Sequence, residues 1–385
     1  MLAKKIIKVP YLDLRVRDAT YKKRLLKKFE DILDHGRIVD GPELKKFEER
    51  FASEIGAKFA VGVGSGSSAL YLALVSLGIG RGDEVITTPY TWIITTNAIA
   101  ATGAKPVFVD VLDDFNIDPD SISKAITKKT KAIVPMHVAG HMCDMERILT
   151  IAEKHSLYVV EDAAQAYCSS NNGMRAGAFS NAAAFSMNPM KILHAYGEAG
   201  VVITNDEKTY KIIKQLRHAG TTRFLKKSQN INMCEYVSLN HKMDTLQAAF
   251  LIEELDRIDE IKTKRDVIAK FYDKNIVKIG CSPQEARPSE VHGRYFYMFS
   301  CKNRDELFEY LTKKGVECKI FYSPLTSDVK VYKNNNTLDL PMARRLLRNS
   351  LSIPMHENMT IEQAKYVVSS IKTFFEASKK VFIDE

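Results

Sequence analysis

The chain has 385 residues, 45% hydrophobic and 27% charged, a balance ordinary for a soluble globular protein with a large domain and a smaller one. The net charge of +9 would suit a nucleic acid. However, the basic residues are dispersed, and their one cluster (Lys22, Lys23, Arg24, Lys27, Lys28) recurs around Leu25, Leu26 and Phe29 as a solvated helix face, so no nucleic-acid partner is expected.

An extended arm opens the chain, with helices expected over 21–33 and, after Gly41-Pro42, over 43–52. A long alternation follows. Strands are expected over 59–63, 84–88, 106–111, 132–138, 158–161, 182–187 and 200–204. Helices over 68–77, 97–101, 119–126 and 145–153 separate the earlier ones. Short connections between alternating strands and helices predict an α/β fold with a large, mostly parallel, doubly covered sheet. A helix over 210–217 leads into a polar stretch, 220–232, and then one long helix is expected from 246 through 274. Beyond it the pattern is that of a smaller α+β domain, with strands near 295–300 and 317–321 and helices near 305–313, 342–349 and 361–375. The division falls as residues 1–255, arm and large domain, and residues 256–385, small C-terminal domain.

No apolar run is long enough to span a membrane, and nothing at the N-terminus has the pattern of a signal peptide. The six cysteines (143, 168, 234, 281, 301, 318) are scattered without a CxxC pair, which fits reduced thiols and a cytoplasmic location.

Four segments carry candidate chemistry. Gly62-Val-Gly-Ser-Gly-Ser-Ser68 follows a strand and opens a helix, where backbone amides suit a phosphate. It has neither the third glycine of a dinucleotide fingerprint nor a P-loop lysine, and plain helix capping explains it equally well in isolation. Pro89-Tyr-Thr-Trp92 follows a strand at the sheet edge where ligands collect, and its tryptophan, the only one in the chain, is either a stacking platform or a core aromatic. Val159-Val-Glu-Asp-Ala-Ala-Gln165 ends a strand in carboxylates; Asp162 is placed either to pair with a protonated ring nitrogen or to cap a helix. Phe185-Ser-Met-Asn-Pro-Met-Lys191 stops an apolar run at Asn-Pro and presents one lysine, an amine of the kind Schiff-base chemistry requires. His137, His141, Cys143 and Asp144 are metal ligands by type, but they fall in a loop and no second cluster completes a site, so no metal is expected.

A phosphate cradle, a stacking aromatic, a carboxylate and a lysine are the parts of a pyridoxal phosphate site. Their order resembles the DegT–StrS group of sugar aminotransferases. The match rests on Gly64–Leu70, Thr88–Trp92, Glu161–Ala166, Phe185–Lys191 and Leu239–Ala249, extended by Gly41-Pro42-Glu43 and Leu351–Pro354. The resemblance implies a fold-type-I aminotransferase that binds pyridoxal 5'-phosphate and works as a homodimer with sites at the subunit interface. Carried over by position, Lys191 binds the cofactor covalently and Asp162 faces the pyridine nitrogen. Gln165 lies near the ring oxygen and Trp92 stacks on the ring. Ser67, Ser68 and Ser186 hold the phosphate, and Asn240 reaches it from the partner subunit.

The chain departs from the family pattern at Gly197-Glu-Ala-Gly200, Tyr167, Lys242 and Phe321-Tyr-Ser-Pro324, positions expected to bear on the substrate. The expected reaction moves an amino group from an amino acid, glutamate above others, to a keto sugar that is most plausibly nucleotide-linked. Arg217, His218, Arg223, Lys226 and Lys242 are the candidate cations for such a substrate. Three alternatives stand beside it: a small phosphorylated ketone as acceptor, a sugar dehydratase, and a regulatory homologue without turnover. Lys191 argues against the dehydratase, which in related proteins goes with histidine in its place.

Overall fold

The computed structural model describes residues 8–222, 232–335 and 338–381. Two amphipathic helices, α1 (Ala19–His35) and α2 (Pro42–Ile55), precede the sheet. Asp18 caps α1 through the Thr20 and Tyr21 amides, Pro42 starts α2, and left-handed Gly36 and Gly56 close the two. The alternation then runs β1 (Phe59–Val63), α3 (Gly66–Ser76), β2 (Glu84–Thr87), α4 (Ile93–Ala101), β3 (Lys105–Phe108), α5 (Pro119–Ala125), β4 (Thr130–Val134), α6 (Met145–Lys154) and β5 (Tyr158–Asp162). A short hairpin, β6 (Ser170–Asn171) and β7 (Met174–Arg175), precedes β8 (Ala182–Ser186), β9 (Gly200–Thr204) and α7 (Glu207–Arg217).

Among the described residues, seven strands form the main sheet in the order β1-β9-β8-β5-β4-β2-β3. Every pairing from β8 outward to β3 is parallel, while β9 runs antiparallel to both its neighbours. Gly200, the first residue of β9, therefore lies opposite Ser186 and Val63, the last residues of β8 and β1. Helix α3 is apolar on all sides because it is covered on all sides; Ala69, Leu70, Leu72, Ala73 and Leu74 are all buried beneath the sheet.

The expected single helix over 246–274 is two, α8 (Thr245–Leu255) and α9 (Ile258–Ile276). The break at Asp256-Arg257 has no glycine or proline. It separates the face of α8 that packs Ala248, Leu251 and Leu255 into the main core from the part of α9 that packs Ile268, Ala269 and Tyr272 into a second core. That second core is completed by β12 (Tyr297–Ser300), α10 (Arg304–Lys313), β13 (Ser350–Ile353) and α12 (Ile361–Val381), whereas α11 (Pro341–Asn349) packs Ala343 and Leu346 into the main core; β10 (Ser282–Pro283) pairs with β12, and β11 (Glu290–Val291) pairs back to β6. The expected strand at 317–321 is absent. The chain there makes isolated bridges instead, Val316 to Val9 just before it and Lys319 to Ser352 of β13, whose other edge pairs with β12. Strands β3 and β4 also end sooner than expected, at Phe108 and Val134; beyond Val134 the chain makes only an isolated bridge, Met136 to Asp162. No described helix is long and apolar enough to cross a membrane.

Candidate functional site

The carboxyl ends of β5 and β8 bring Asp162 and Ser186 to one rim of the sheet, where open α/β sheets bind ligands. Asp162 is 3% exposed. Its Oδ2 accepts from the Thr95 hydroxyl at 2.7 Å and its Oδ1 from the Ala164 N–H at 3.2 Å. Thr95 in turn lies 2.7 Å from the Thr91 hydroxyl, so α4 is tied to the carboxylate. Burial pushes the Asp162 pKa up; the Thr95 bond, the Ala164 amide and the charge of Lys191 oppose it without prevailing. The adjacent Glu161 is committed elsewhere: it accepts from the Gly177 N–H and the Ser180 hydroxyl and pairs with His137 at 2.9 Å.

Lys191 sits in the turn after β8, half-buried. Its N–H donates to the Asn188 carbonyl at 2.8 Å, and Glu198 accepts from the Asn188 side chain at 2.7 Å, bracing the turn against Gly197–Gly200. The Lys191 Nζ stands 4.4 Å from the centre of the Tyr295 ring and 3.3 Å from its hydroxyl.

The start of α3 faces the same rim. Ser65 accepts from the Ser68 N–H at 3.1 Å, while the leading amides of Gly66 and Ser67 belong to the first turn, which has no intrahelical partner for them. A Cβ on Gly66 would fall 2.6 Å from the Ser186 Cβ, so only glycine lets the helix start come this close to Ser186. Ser67 is exposed and Ser68 half-buried. The Ser68 hydroxyl lies 2.9 Å from His241 Nδ1, and burial holds the His241 pKa below its ordinary value. The His241 carbonyl accepts from the Gly64 N–H at 2.8 Å, which lays residues 239–242 alongside the cradle. Asn240 is exposed there, its Oδ1 accepting from the Lys242 N–H.

Trp92, at the head of α4, is 63% exposed and is not a core aromatic. Gln165 spans two segments: its Oε1 accepts from the Ala139 N–H at 2.8 Å and its Nε2 donates to the Tyr322 hydroxyl, which uses one of that amide's two N–H donors. The rim thus gathers Asp162, Ser186, Lys191, Gln165, Ser67 and Ser68 in one chain, with Trp92 and Asn240 exposed at its margin.

Other candidates go elsewhere. Arg217 is buried, paired with Glu48 at 2.5 Å and donating to the Gly62 carbonyl, so its charge is spent inside the fold and it is not available to a substrate. His218 is buried 3.6 Å from Asp40. Lys242 is half-buried, and Arg223 and Lys226 lie outside the described residues. Tyr167, expected to bear on the substrate, is buried against Phe51 and Phe185 and donates its hydroxyl to Glu54. Phe321 is half-buried and stacks on Phe296 at 4.3 Å. Of the metal-type residues, His141 lies between Asp114 and Glu290. Burial alone would lower its pKa, but the two carboxylates outweigh that and raise it. The Cys143 thiol donates to the Met136 carbonyl, and Asp144 caps α6.

Three contacting residues, Thr95, His241 and Tyr295, were not singled out from the sequence, whereas Tyr322 lay in the Phe321–Pro324 segment expected to bear on the substrate. Tyr295 arrives from a segment remote in the chain, whereas Thr95 follows Trp92 by three residues in the first turn of α4, and His241 follows Asn240.

A model of the DegT/DnrJ/EryC1/StrS aminotransferase family matches residues 19–372. The "Pleiotropic regulatory protein" of Geobacillus stearothermophilus is 36% identical over 379 residues, covering 95% of this chain and 98% of that one. The dTDP-3-amino-3,4,6-trideoxy-alpha-D-glucose transaminase of Streptomyces venezuelae is 34% identical over 373 residues, covering 96% and 97%. Among solved structures, NtdA from Bacillus subtilis with bound cofactor PMP matches with a TM-score of 0.88 at 26% identity, over 97% of this chain and 86% of that one.

Proposed function

The chain belongs to the DegT/DnrJ/EryC1/StrS aminotransferase family, and from that premise we propose that it transfers an amino group from L-glutamate to a nucleotide-linked keto sugar in amino-sugar or surface-glycan biosynthesis. It is a pyridoxal-phosphate-dependent aminotransferase acting on small molecules. The observation that carries the reading is Asp162 buried on the same rim as Lys191 and the glycine-opened start of α3.

The residues present fit the cofactor. A buried carboxylate whose ionised form is penalised gains from a cationic ring nitrogen, and a helix start with free amides beside a serine gains from a phosphate. When bound, the cofactor supplies an electron sink and carries the amino group between the two substrates. Asp162, steadied by Thr95, would hold the ring nitrogen protonated. The Gly66 and Ser67 amides, with Ser68 and the Ser186 hydroxyl beside them, would hold the phosphate. Trp92 would cover the ring, and the second N–H of Gln165 would serve the ring oxygen. Lys191 Nζ would anchor the cofactor and carry the proton taken from the amino acid's Cα.

The nucleotide handle rests on the Streptomyces relative and on the positive balance of the chain. Titrating the holoenzyme with thymidine, uridine and guanosine diphosphate amino sugars, against a simple phosphorylated amine, tests it by the cofactor's absorption change. Saturation by a nucleotide sugar is expected. A response to the small amine alone would reassign the acceptor and leave the transaminase reading intact. Keto-acid release from glutamate separates both from a regulatory protein without turnover.

The working unit of this reading is a homodimer in which Asn240 serves the partner's phosphate cradle. In its support, Val237 and Leu239 beside it are 97% and 72% exposed. Mixing Lys191→Ala with Asn240→Ala protein should restore about a quarter of wild-type activity, because half the dimers then hold one intact site. No gain on mixing, or a fully active monomer, would refute the shared site. The second core supports reading residues 1–255 and 256–385 as large and small domains. Six free thiols support a cytoplasmic location.

A further inference from the structure

We propose that Tyr295 is the positioning residue for the Lys191 amine, an inference that rests on reading Lys191 as the cofactor lysine. The amine lies over the face of the Tyr295 ring, 4.4 Å from its centre, and within 3.3 Å of the phenol oxygen. A lysine stem has four rotatable bonds, and a half-buried one with nothing beneath it would spread its amine over several ångströms. The ring face attracts an ammonium and the hydroxyl fixes where on the face it rests, so the two contacts together define one position.

The platform itself is rigid. Tyr295 is 8% exposed, and its ring packs on Phe296 at 4.9 Å. Its N–H donates to the Ala139 carbonyl at 3.1 Å, and its carbonyl accepts from Arg265 at 3.0 Å. Arg265 is 2% exposed and locked by Glu357 at 2.8 Å. Ala139 donates its own N–H to Gln165, three residues past Asp162. The close approach of Gly293 to Gly140, with an N–H to carbonyl bond of 2.8 Å, holds the two backbones together just before Tyr295. Tyr295 is thereby fixed to the segment that carries Asp162. The amine of Lys191, arriving from β8, is registered against that carboxylate through the ring, and a general base is effective only at a defined distance from its proton.

The test compares Tyr295→Phe, which keeps the ring, with Tyr295→Leu, which removes it. Two readouts are taken: steady-state kinetics of the holoenzyme, and acetylation of Lys191 in cofactor-free protein, quantified by peptide mass against exposed Lys45. Tyr295→Leu should lower kcat about tenfold with KM for the amino donor changed less than about threefold, and should raise Lys191 acetylation about fivefold. Tyr295→Phe should recover most of the loss, to within about threefold of wild-type kcat, with acetylation raised about twofold. Variants that match wild type in both readouts overturn the proposal. So does a Tyr295→Leu loss of kcat with unchanged acetylation and no recovery in Tyr295→Phe, the signature of a merely structural ring. Should the leucine variant fail to fold, the volume-conserving Tyr295→Phe carries the same test alone, and wild-type values for both readouts overturn the proposal. Borohydride reduction of the wild-type holoenzyme separates the two levels. An adduct away from Lys191 overturns the lysine reading and this proposal together, whereas an adduct on Lys191 leaves the outcome to the Tyr295 variants.

Discussion

Lys191→Ala leaves a folded protein whose glutamate-dependent transamination is lower by about 10³-fold or more, the loss expected when one group is both nucleophile and proton carrier. The fold survives because the bonds that shape the turn do not use the lysine side chain. The residue 191 N–H still donates to the Asn188 carbonyl, and Glu198 still holds the Asn188 amide. Borohydride reduction of the wild type followed by peptide mapping should place the pyridoxyl adduct on Lys191. Retention of more than about a tenth of the activity in Lys191→Ala would contradict the assignment.

Asp162→Asn should lose about 10²-fold or more in kcat, because an asparagine cannot hold the ring nitrogen protonated. The same change should stabilise the cofactor-free protein above the carboxylate range. Burial raises the Asp162 pKa above its unfolded value of 3.8, so between the two the folded chain binds more protons than the unfolded one. Stability therefore falls as pH rises through that window and stays reduced above it. Asparagine does not titrate, so the variant's margin over wild type should shrink as pH is lowered towards 4. Thermal melts of both cofactor-free proteins at several pH values check this. Parallel curves, with no narrowing at low pH, would show that Asp162 is not the penalised carboxylate the fold makes it.

The large sheet was readable because its strands are short apolar runs stopped by turn residues, and a buried mostly parallel sheet needs little else. The cradle, Asp162, Ser186 and Lys191 were readable for a related reason: each lies within a few residues of a strand end, so local sequence carries both the element and the functional group. Tyr295 was not, because what makes it part of the site is packing from a segment more than a hundred residues from Lys191 and Asp162, whereas Tyr322 lay in a segment already marked as a departure from the family pattern. Arg217 misled in the opposite direction. In the sequence it is a cation in a polar stretch, and only the fold reveals Glu48 facing it. The break at 256–257 had no local signal either: no glycine or proline marks it, and Ile258 and Ile261 beyond it still pack into the main core. The expected strand at 317–321 had the right residue types and reaches the free edge of β13, but it pairs there only at Lys319 with Ser352.

The reversal of β9 decides where this chain can grow. Had β9 run with its neighbours, its leading turn would sit at the far rim of the sheet, where residues 78–83, 102–104, 126–129 and 155–157 make the return connections. Those returns can lengthen at little cost, since closing a longer surface loop is only weakly unfavourable. The turn at 197–199 has no such freedom. It delivers Gly200 onto Ser65 and Gly66, where an added Cβ would meet the Ser65 carbonyl oxygen at 2.3 Å. One antiparallel strand thus puts this turn against the start of α3 instead of among the returns, so insertion is tolerated at the returns and not at Gly200.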